Sequence, residues 1–331
     1  MNQSKIRWGI LGCGRIARKF ASDLKLIEDA ELTAVASRNK QNAEAFASEF
    51  TCKYTFESYE GLAACTEVDV IYIATPHSHH YEHTLLCLNH NKPVLCEKAF
   101  AINSRQAKEM IDVARERKVF LMEALWTKFL PHYKKLTELI NNGTLGDIKT
   151  VLVNFGFKVG ENFPPRLLDP ALGGGTLLDI GIYNVFMALS ALGKPDYIEA
   201  SMVPSATNVD EQLSVLFKYK TGAAASMFSS FLTNLPTQAE ICGTKAGITL
   251  TTRFYEPSAK IELYYDVKGE RQIIPADKSE GWGYHYEARH VNDCLRKGLT
   301  ESPVMRHADT LLLMETLDEI RKIAGIKYAV D

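Results

Sequence analysis

Ile6-Arg7-Trp8-Gly9-Ile10-Leu11-Gly12-Cys13-Gly14-Arg15-Ile16-Ala17 is the stretch that decides how this chain folds. Ile6 to Leu11 is an apolar run broken only by Arg7 and Gly9, and it reads as a buried strand. A G-x-G-x-x-A turn follows at once, and Ile16 to Leu26 reads as a helix. The first glycine permits the tight turn, the second lets the backbone approach a pyrophosphate, and Ala17 lets helix and strand pack closely. The helix start adds N–H donors and the positive end of its dipole. Glycine turns are common, so the six residues alone say little. Set between a strand and a helix, they make Gly12, Cys13, Gly14, Arg15 and Ile16 candidate dinucleotide contacts.

The alternation continues downstream. Glu31 to Ala36 is a second strand, ending about 20 residues past the turn, where NAD enzymes usually place an acid on the ribose hydroxyls. This chain has Ser37-Arg38-Asn39 instead. A hydroxyl followed by a guanidinium suits a 2′-phosphate, because Arg offers a planar fork of donors and stacks on adenine. Ser37 and Arg38 therefore favour NADP, with NAD the alternative. Val68 to Ala74 is the next buried strand, and a helix from Tyr81 to Leu88 follows it. At the strand's end Thr75, Pro76, His77 and His80 are candidates to meet the ribose and nicotinamide half of the cofactor. The histidines at 77, 79, 80 and 83 invite a metal reading, since His79 and His83 share a helical face. Glu82, the carboxylate that would complete a set, reads as lying elsewhere on the helix, so no metal is assigned.

Val94 to Phe100 is a further strand, and it delivers Glu97 and Lys98 side by side at its carboxyl end. Parallel sheets place ligands outside the carboxyl ends of their strands, so chemistry is expected there. A helix capped by Ser104 buries Ile111, Val113 and Ala114. Val119 to Ala124 then forms one more strand, running into Leu125-Trp126-Thr127-Lys128-Phe129. The β-α-β alternation stops here. Residues 1–124 read as a dinucleotide-binding Rossmann domain, a doubly wound parallel sheet, and 125–331 as a second domain.

Pro131 to Asn142 is a linking helix stopped by Asn141-Asn142-Gly143. After it the period switches to two. Val151, Val153, Phe155 and Phe157 alternate with Leu152, Asn154 and Gly156, Leu213, Val215, Phe217 and Tyr219 with Ser214, Leu216 and Lys218, and Ile261, Leu263, Tyr265 and Val267 with Glu262, Tyr264, Asp266 and Lys268. Lys220-Thr221-Gly222, Lys245-Ala246-Gly247 and Lys268-Gly269-Glu270 join such runs as hairpins. The fold class is α/β: a Rossmann domain plus an α+β domain with an open-faced, mostly antiparallel sheet. A helix in Gly173–Gly193 covers one sheet face with a stripe of Leu178, Ile182, Val185, Leu189 and Leu192. Asp179 and Tyr183, four apart, meet near its start, where Thr176 reads as the cap and the dipole favours an ionised Asp179. Such a pair is either catalytic or a buried hydrogen bond. Gly281-Trp282-Gly283-Tyr284-His285-Tyr286 opens a helix to Lys297, and Ala308 to Ile323 is a last helix expected to pack back on the first domain. Trp126, Phe155, Trp282 and Tyr284 are candidate walls for a flat or cyclic substrate.

The 331 residues carry a formal charge of −2, which gives no push toward nucleic acid or anionic membrane. Gly173–Gly193 approaches membrane length but holds Asp179, Asn184 and three consecutive glycines, so it reads as a buried helix. The N-terminus shows no signal-peptide pattern. Seven cysteines without C-x-x-C or zinc spacing fit reduced thiols in a cytoplasmic protein.

Gly12-Cys13-Gly14-Arg15-Ile16-Ala17, Thr75-Pro76-His77-x-x-His80, Glu97-Lys98 and Gly173-Gly174-Gly175-x-x-x-Asp179-x-Gly181-x-Tyr183 together resemble the Gfo/Idh/MocA oxidoreductases. Cys96-Glu97-Lys98, Leu121-Met122-Glu123-Ala124-Leu125-Trp126-Thr127 and Tyr286-Glu287-Ala288-Arg289-His290-Val291 are most similar to the dimeric dihydrodiol dehydrogenase and NADP-dependent D-xylose dehydrogenase branch. The resemblance spans essentially the whole chain and implies a homodimer formed through the open sheet face. It also implies that Lys98 and Tyr183 are the catalytic pair, with Asp179 beside them and Trp126 in the substrate pocket. Ala99 stands where the family usually has Pro, and His77 where it often has Asn. The reaction implied passes a hydride from a ring-borne CH–OH group to the nicotinamide while Tyr183 takes the hydroxyl proton. A phenol with a reference pKa near 10 needs help at neutral pH, and a cation within ~4–6 Å lowers an acid's pKa by roughly one to three units, the role Lys98 would fill. Asp179 would orient the substrate or Lys98. The substrate class is an aldose or a cyclic vicinal diol. The alternative is a non-enzymatic nucleotide-binding sensor on the same fold, which would need no proton donor.

Overall fold

A computed structural model of the protein describes residues 4–160, 163–266, 268–275 and 280–331. The chain divides into two compact units, Met1–Phe129 with Ser279–Leu311 and Leu130–Lys278 with Leu312–Asp331. It returns to the first unit after most of the second is built, where the alternation alone puts one boundary at 124 and leaves only the last helix to pack back.

In the first unit, β1 (Ile6–Leu11), β2 (Ala30–Ala36), β3 (Tyr54–Phe56), β4 (Val70–Ile73), β5 (Val94–Glu97) and β6 (Leu121–Ala124) form a six-stranded sheet in the order β3-β2-β1-β4-β5-β6. Every pairing is parallel. β4, β5 and β6 are buried along their whole length, as a sheet with crossovers on both faces requires. The strand order reverses between β1 and β4, which opens a crevice at their carboxyl ends. The helix expected to start with Ser104 as cap begins instead from Asn103, whose extended backbone lets its side chain accept from Gln106 N at 3.0 Å. Asp23 is 1% exposed and accepts backbone N–H bonds from Trp282 at 2.8 Å and Tyr284 at 2.7 Å, so it caps the helix His285–Arg296.

In the second unit, β7 (Ile148–Gly156), β8 (Tyr197–Pro204), β9 (Asp210–Lys218), β10 (Ala224–Ser230), β11 (Gln238–Gly243), β12 (Gly247–Thr251), β13 (Lys260–Tyr264) and β14 (Gln272–Ile274) form one sheet. Its order is β14-β13-β12-β11-β7-β10-β9-β8, and among the described residues only β7 and β10 pair in parallel. The alternation holds where it was read: Val151, Val153 and Phe155 are buried while Leu152 is 40% exposed. Phe157, Tyr219 and Tyr265 fall just past their strands, and Val267 lies outside the described residues.

The covering helix differs from its expectation in two ways. It is buried nearly all round from Leu177 to Ala188, rather than along one stripe. The reason is cover on both sides: Asn184 Nδ2 donates to Phe228 O at 3.1 Å and Ser229 Oγ at 3.0 Å in the sheet, while Tyr133 of the helix Pro131–Asn141 stacks on Phe186. Thr176, moreover, is not the cap. Asp210 Oδ2 accepts both the Thr176 hydroxyl and Leu177 N at 2.6 Å, so the cap comes from β9. Pro170–Leu192 is long and apolar enough to cross a membrane, and 72% of its apolar window is buried, as befits a core helix.

Candidate active site

In the first unit the dinucleotide turn is built as its glycines suggest. Gly12 holds φ at +99°, and a Cβ there would stand 3.1 Å from Ala74 O at the end of β4. Only glycine makes that turn while lying so close to the neighbouring strand. Around Gly14 a Cβ would meet nothing within 4 Å, so the backbone faces open space. The helix Arg15–Leu24 has no side chain capping its first turn and no acid within it, which leaves its N–H groups aimed at that space. Cys13 packs its thiol toward Ala36 O, and burial raises its pKa to about 11, against a smaller lowering by Arg18. The half-buried thiol therefore stays protonated at neutral pH. Ser37 is buried at the end of β2, its hydroxyl accepting from Asn39 N at 3.2 Å, while Arg38 is exposed. The cradle and its exposed cation thus fit a dinucleotide.

His77 and His80 lie together past β4, their rings edge-on at 5.7 Å. His80 is fully buried, with Nδ1 2.7 Å from Ala99 O and Nε2 2.8 Å from Thr75 O, so it ties the Lys98–Ala99 turn to the end of β4. Both partners only accept, which favours a doubly protonated ring, but burial is the larger effect and lowers its pKa to about 4. The ring is neutral at pH 7 and donates to one carbonyl. Glu97 turns inward: the Tyr72 hydroxyl donates to its Oε1, and Lys98 N donates to its Oε2 at 3.2 Å. Near it Glu287 is fully buried, and burial first, then the charges of Glu97 and Asp23, push its carboxyl well above the usual range. Lys98 itself is half-buried, and the Lys98–Ala99 peptide is cis. Trp126 stacks on Tyr284 with ring centres 4.6 Å apart and planes at 5°. Trp282 does not join them: it is 51% exposed, with Lys19 over its ring at 4.0 Å. Glu82 does not lie elsewhere on its helix, as expected, because its carboxylate reaches His79 Nδ1 at 2.7 Å.

In the second unit Tyr183 is 6% exposed and sits in an aromatic cluster, 6.1 Å from Phe155 and 4.9 Å from Tyr255 by ring centres. Tyr255 in turn stacks on Phe155 at 4.5 Å. Burial raises the Tyr255 phenol to about 12, so it stays neutral beside Tyr183. Asp179 meets Arg166 Nη1 at 3.3 Å. Arg166 and Tyr255 escaped the sequence reading. Arg166 lies in the short 3₁₀ helix Pro165–Leu168 behind paired prolines and Tyr255 in a turn after β12, segments too short for a period to mark a side chain as facing anything.

These two assemblies define a class. The chain belongs to the Gfo/Idh/MocA oxidoreductases: residues 6–125 match the family's oxidoreductase domain with its NAD-binding Rossmann fold, and residues 133–249 match its C-terminal domain. It is an enzyme of oxidoreductase type, with a nicotinamide-dinucleotide-binding domain followed by a mostly antiparallel sheet domain. Among its relatives is trans-1,2-dihydrobenzene-1,2-diol dehydrogenase of Mus musculus, 39% identical, with 98% of this chain and 99% of the relative covered. The Homo sapiens protein of that name is 36% identical over the same shares. Among solved structures, a 3-ketoreductase from Actinomadura kijaniata in complex with NADP and TDP-benzene superposes with a TM-score of 0.87 at 25% identity, covering 97% of this chain and 98% of that one. An aldose-aldose oxidoreductase from Caulobacter crescentus shares the fold, with a TM-score of 0.87 at 22% identity and the same coverage.

Proposed function

We propose that the protein is an NADP-dependent dehydrogenase acting on a ring-borne hydroxyl, a cyclic vicinal diol or an aldose, with Tyr183 as acid/base assisted by Lys98. The observation that carries the reading is full-length similarity to dihydrobenzenediol dehydrogenases, with the Lys98 and Tyr183 motifs of the family both retained. The open backbone at Gly14 and the uncapped helix start would hold the pyrophosphate, and Arg38 with Ser37 the 2′-phosphate. NADP, when bound, supplies the hydride acceptor. Tyr183 removes the hydroxyl proton in oxidation and returns it to the carbonyl in reduction. Lys98 supplies the positive charge that favours the phenolate, and Asp179, held by Arg166, orients the substrate hydroxyls. In support, the Actinomadura 3-ketoreductase has been crystallised with a single lysine changed to Ala or Glu and a single tyrosine changed to Phe.

The same reading takes the protein as a cytoplasmic homodimer with no nucleic-acid or membrane partner. Seven free cysteines suit a reducing compartment. Leu152, 40% exposed, with half-buried Leu216 and Phe228, gives the outward face of the large sheet apolar surface to cover. The test is one screen of purified protein with NADP⁺ or NAD⁺ against aldoses, inositols and cyclic diols, read as reduced nicotinamide. Turnover with a cyclic diol or aldose is expected, and its absence across the panel would refute the assignment.

A further inference from the structure

We infer that His79, Glu82 and His83 form a binding site for one divalent transition-metal ion, of which Zn²⁺ is the type. Their ligand atoms all lie within 4.8 Å of one another. Glu82 Oε1 stands between the rings, 2.7 Å from His79 Nδ1 and 3.5 Å from His83 Nε2. A tetrahedral ion with bonds of about 2.0–2.1 Å holds its ligands about 3.3–3.5 Å apart. The exposed carboxylate therefore withdraws from His79 by only about 0.6–0.8 Å, its distance to His83 already fits, and the ligand atoms that stand up to 4.8 Å apart close on the ion. The spacing follows from the helix, since positions i, i+3 and i+4 share a face.

His83 is already prepared as a ligand. Its Nδ1 lies 3.0 Å from Thr75 Oγ1, and a ring N–H donating to that hydroxyl leaves Nε2 with a free lone pair on the Glu82 side. Tyr59 meets the ring edge-on at 4.5 Å and fixes its plane. Glu82 and His79 keep 60% and 25% of their side chains exposed, so an ion reaches the site from solvent and keeps a water as fourth ligand. Two imidazoles and one carboxylate suit Zn²⁺, Co²⁺ or Ni²⁺, whereas Mg²⁺ and Ca²⁺ prefer oxygen alone. None of the three residues has a role in the hydride transfer, so the site stands or falls independently of that reading.

The test titrates Zn²⁺ into metal-free full-length protein by calorimetry and follows Co²⁺ by its d–d absorption. One ion per chain is expected, with the intense visible bands of four-coordinate cobalt. His79→Ala, at a half-buried ring, and Glu82→Gln, at an exposed carboxylate, should each weaken binding by at least about tenfold while leaving the melting temperature of the metal-free protein unchanged. His83→Ala should abolish it, and His90→Ala, at the far end of the same helix, should not. Binding below one ion per chain, or retained in both His79→Ala and Glu82→Gln, overturns the inference.

Discussion

Glu123, on β6, offers a sharp prediction because its burial can be turned into a pH dependence. The side chain is 1% exposed; Oε2 accepts the Thr310 hydroxyl at 2.9 Å, and among the described residues Oε1 meets no donor in hydrogen-bond geometry. Burial raises its pKa from 4.5 to about 7, outweighing the hydrogen bonds from Thr310 and Phe100 that lower it. In the unfolded chain the acid ionises near 4.5, in the folded one near 7. Between these values the native state holds a proton that the unfolded state has lost, so stability falls as pH rises. At about 1.36 kcal/mol per pKa unit, the rise corresponds to about 3 kcal/mol, present in full below about pH 4.5 and gone above about pH 7. Glu123→Gln keeps the shape and the acceptor while removing the titration. Urea unfolding of both proteins at half-unit steps from pH 4.5 to 8 measures the difference. The variant should gain on the wild type steadily across that window and be the more stable by up to about 3 kcal/mol at pH 8. A stability difference independent of pH would refute the reasoning.

Two further outcomes are expected. Arg38→Ala should weaken NADP⁺ binding about ten- to a hundredfold, as loss of a hydrogen-bonded charge worth roughly 1.5–3 kcal/mol implies, and leave NAD⁺ binding unchanged in a titration by intrinsic fluorescence. Asp23→Ala strips the acceptor from the buried N–H groups of Trp282 and Tyr284, and should cost about 2–4 kcal/mol in chemical denaturation without altering the choice between coenzymes.

What could be read from the chain alone was what is encoded locally. Gly12 and Gly14 announce a turn because strand, glycines and helix are contiguous, and the alternation around Val151 and Leu213 announces a sheet because its period is two. The devices that were missed act over distance. Asp23 caps a helix 259 residues or more downstream, and Asp210 caps Leu177 from 33 residues away; neither has a mark in its own neighbourhood. The stripe on the covering helix was drawn too narrow because periodicity cannot tell one covered side from two. Glu82 was misplaced because it lies three residues after His79, and positions i and i+3 share a helical face, so its carboxylate reaches the ring. Among the site residues, Tyr183 and Asp179 sit on a helix with a glycine-rich approach that draws attention, whereas Arg166, in the short 3₁₀ helix Pro165–Leu168, and Tyr255, in a turn, lie in segments that fold alone makes meaningful.

The proposal that Tyr183 carries the proton is tested most directly by the rate of hydride transfer in Tyr183→Phe. Stopped-flow oxidation of the best substrate from the panel, at saturating NADP⁺, should slow by about a hundred- to ten-thousandfold, the usual worth of a general acid–base group. The coenzyme's dissociation constant should stay at the wild-type value. A Phe variant that transfers hydride at the native rate would contradict the account.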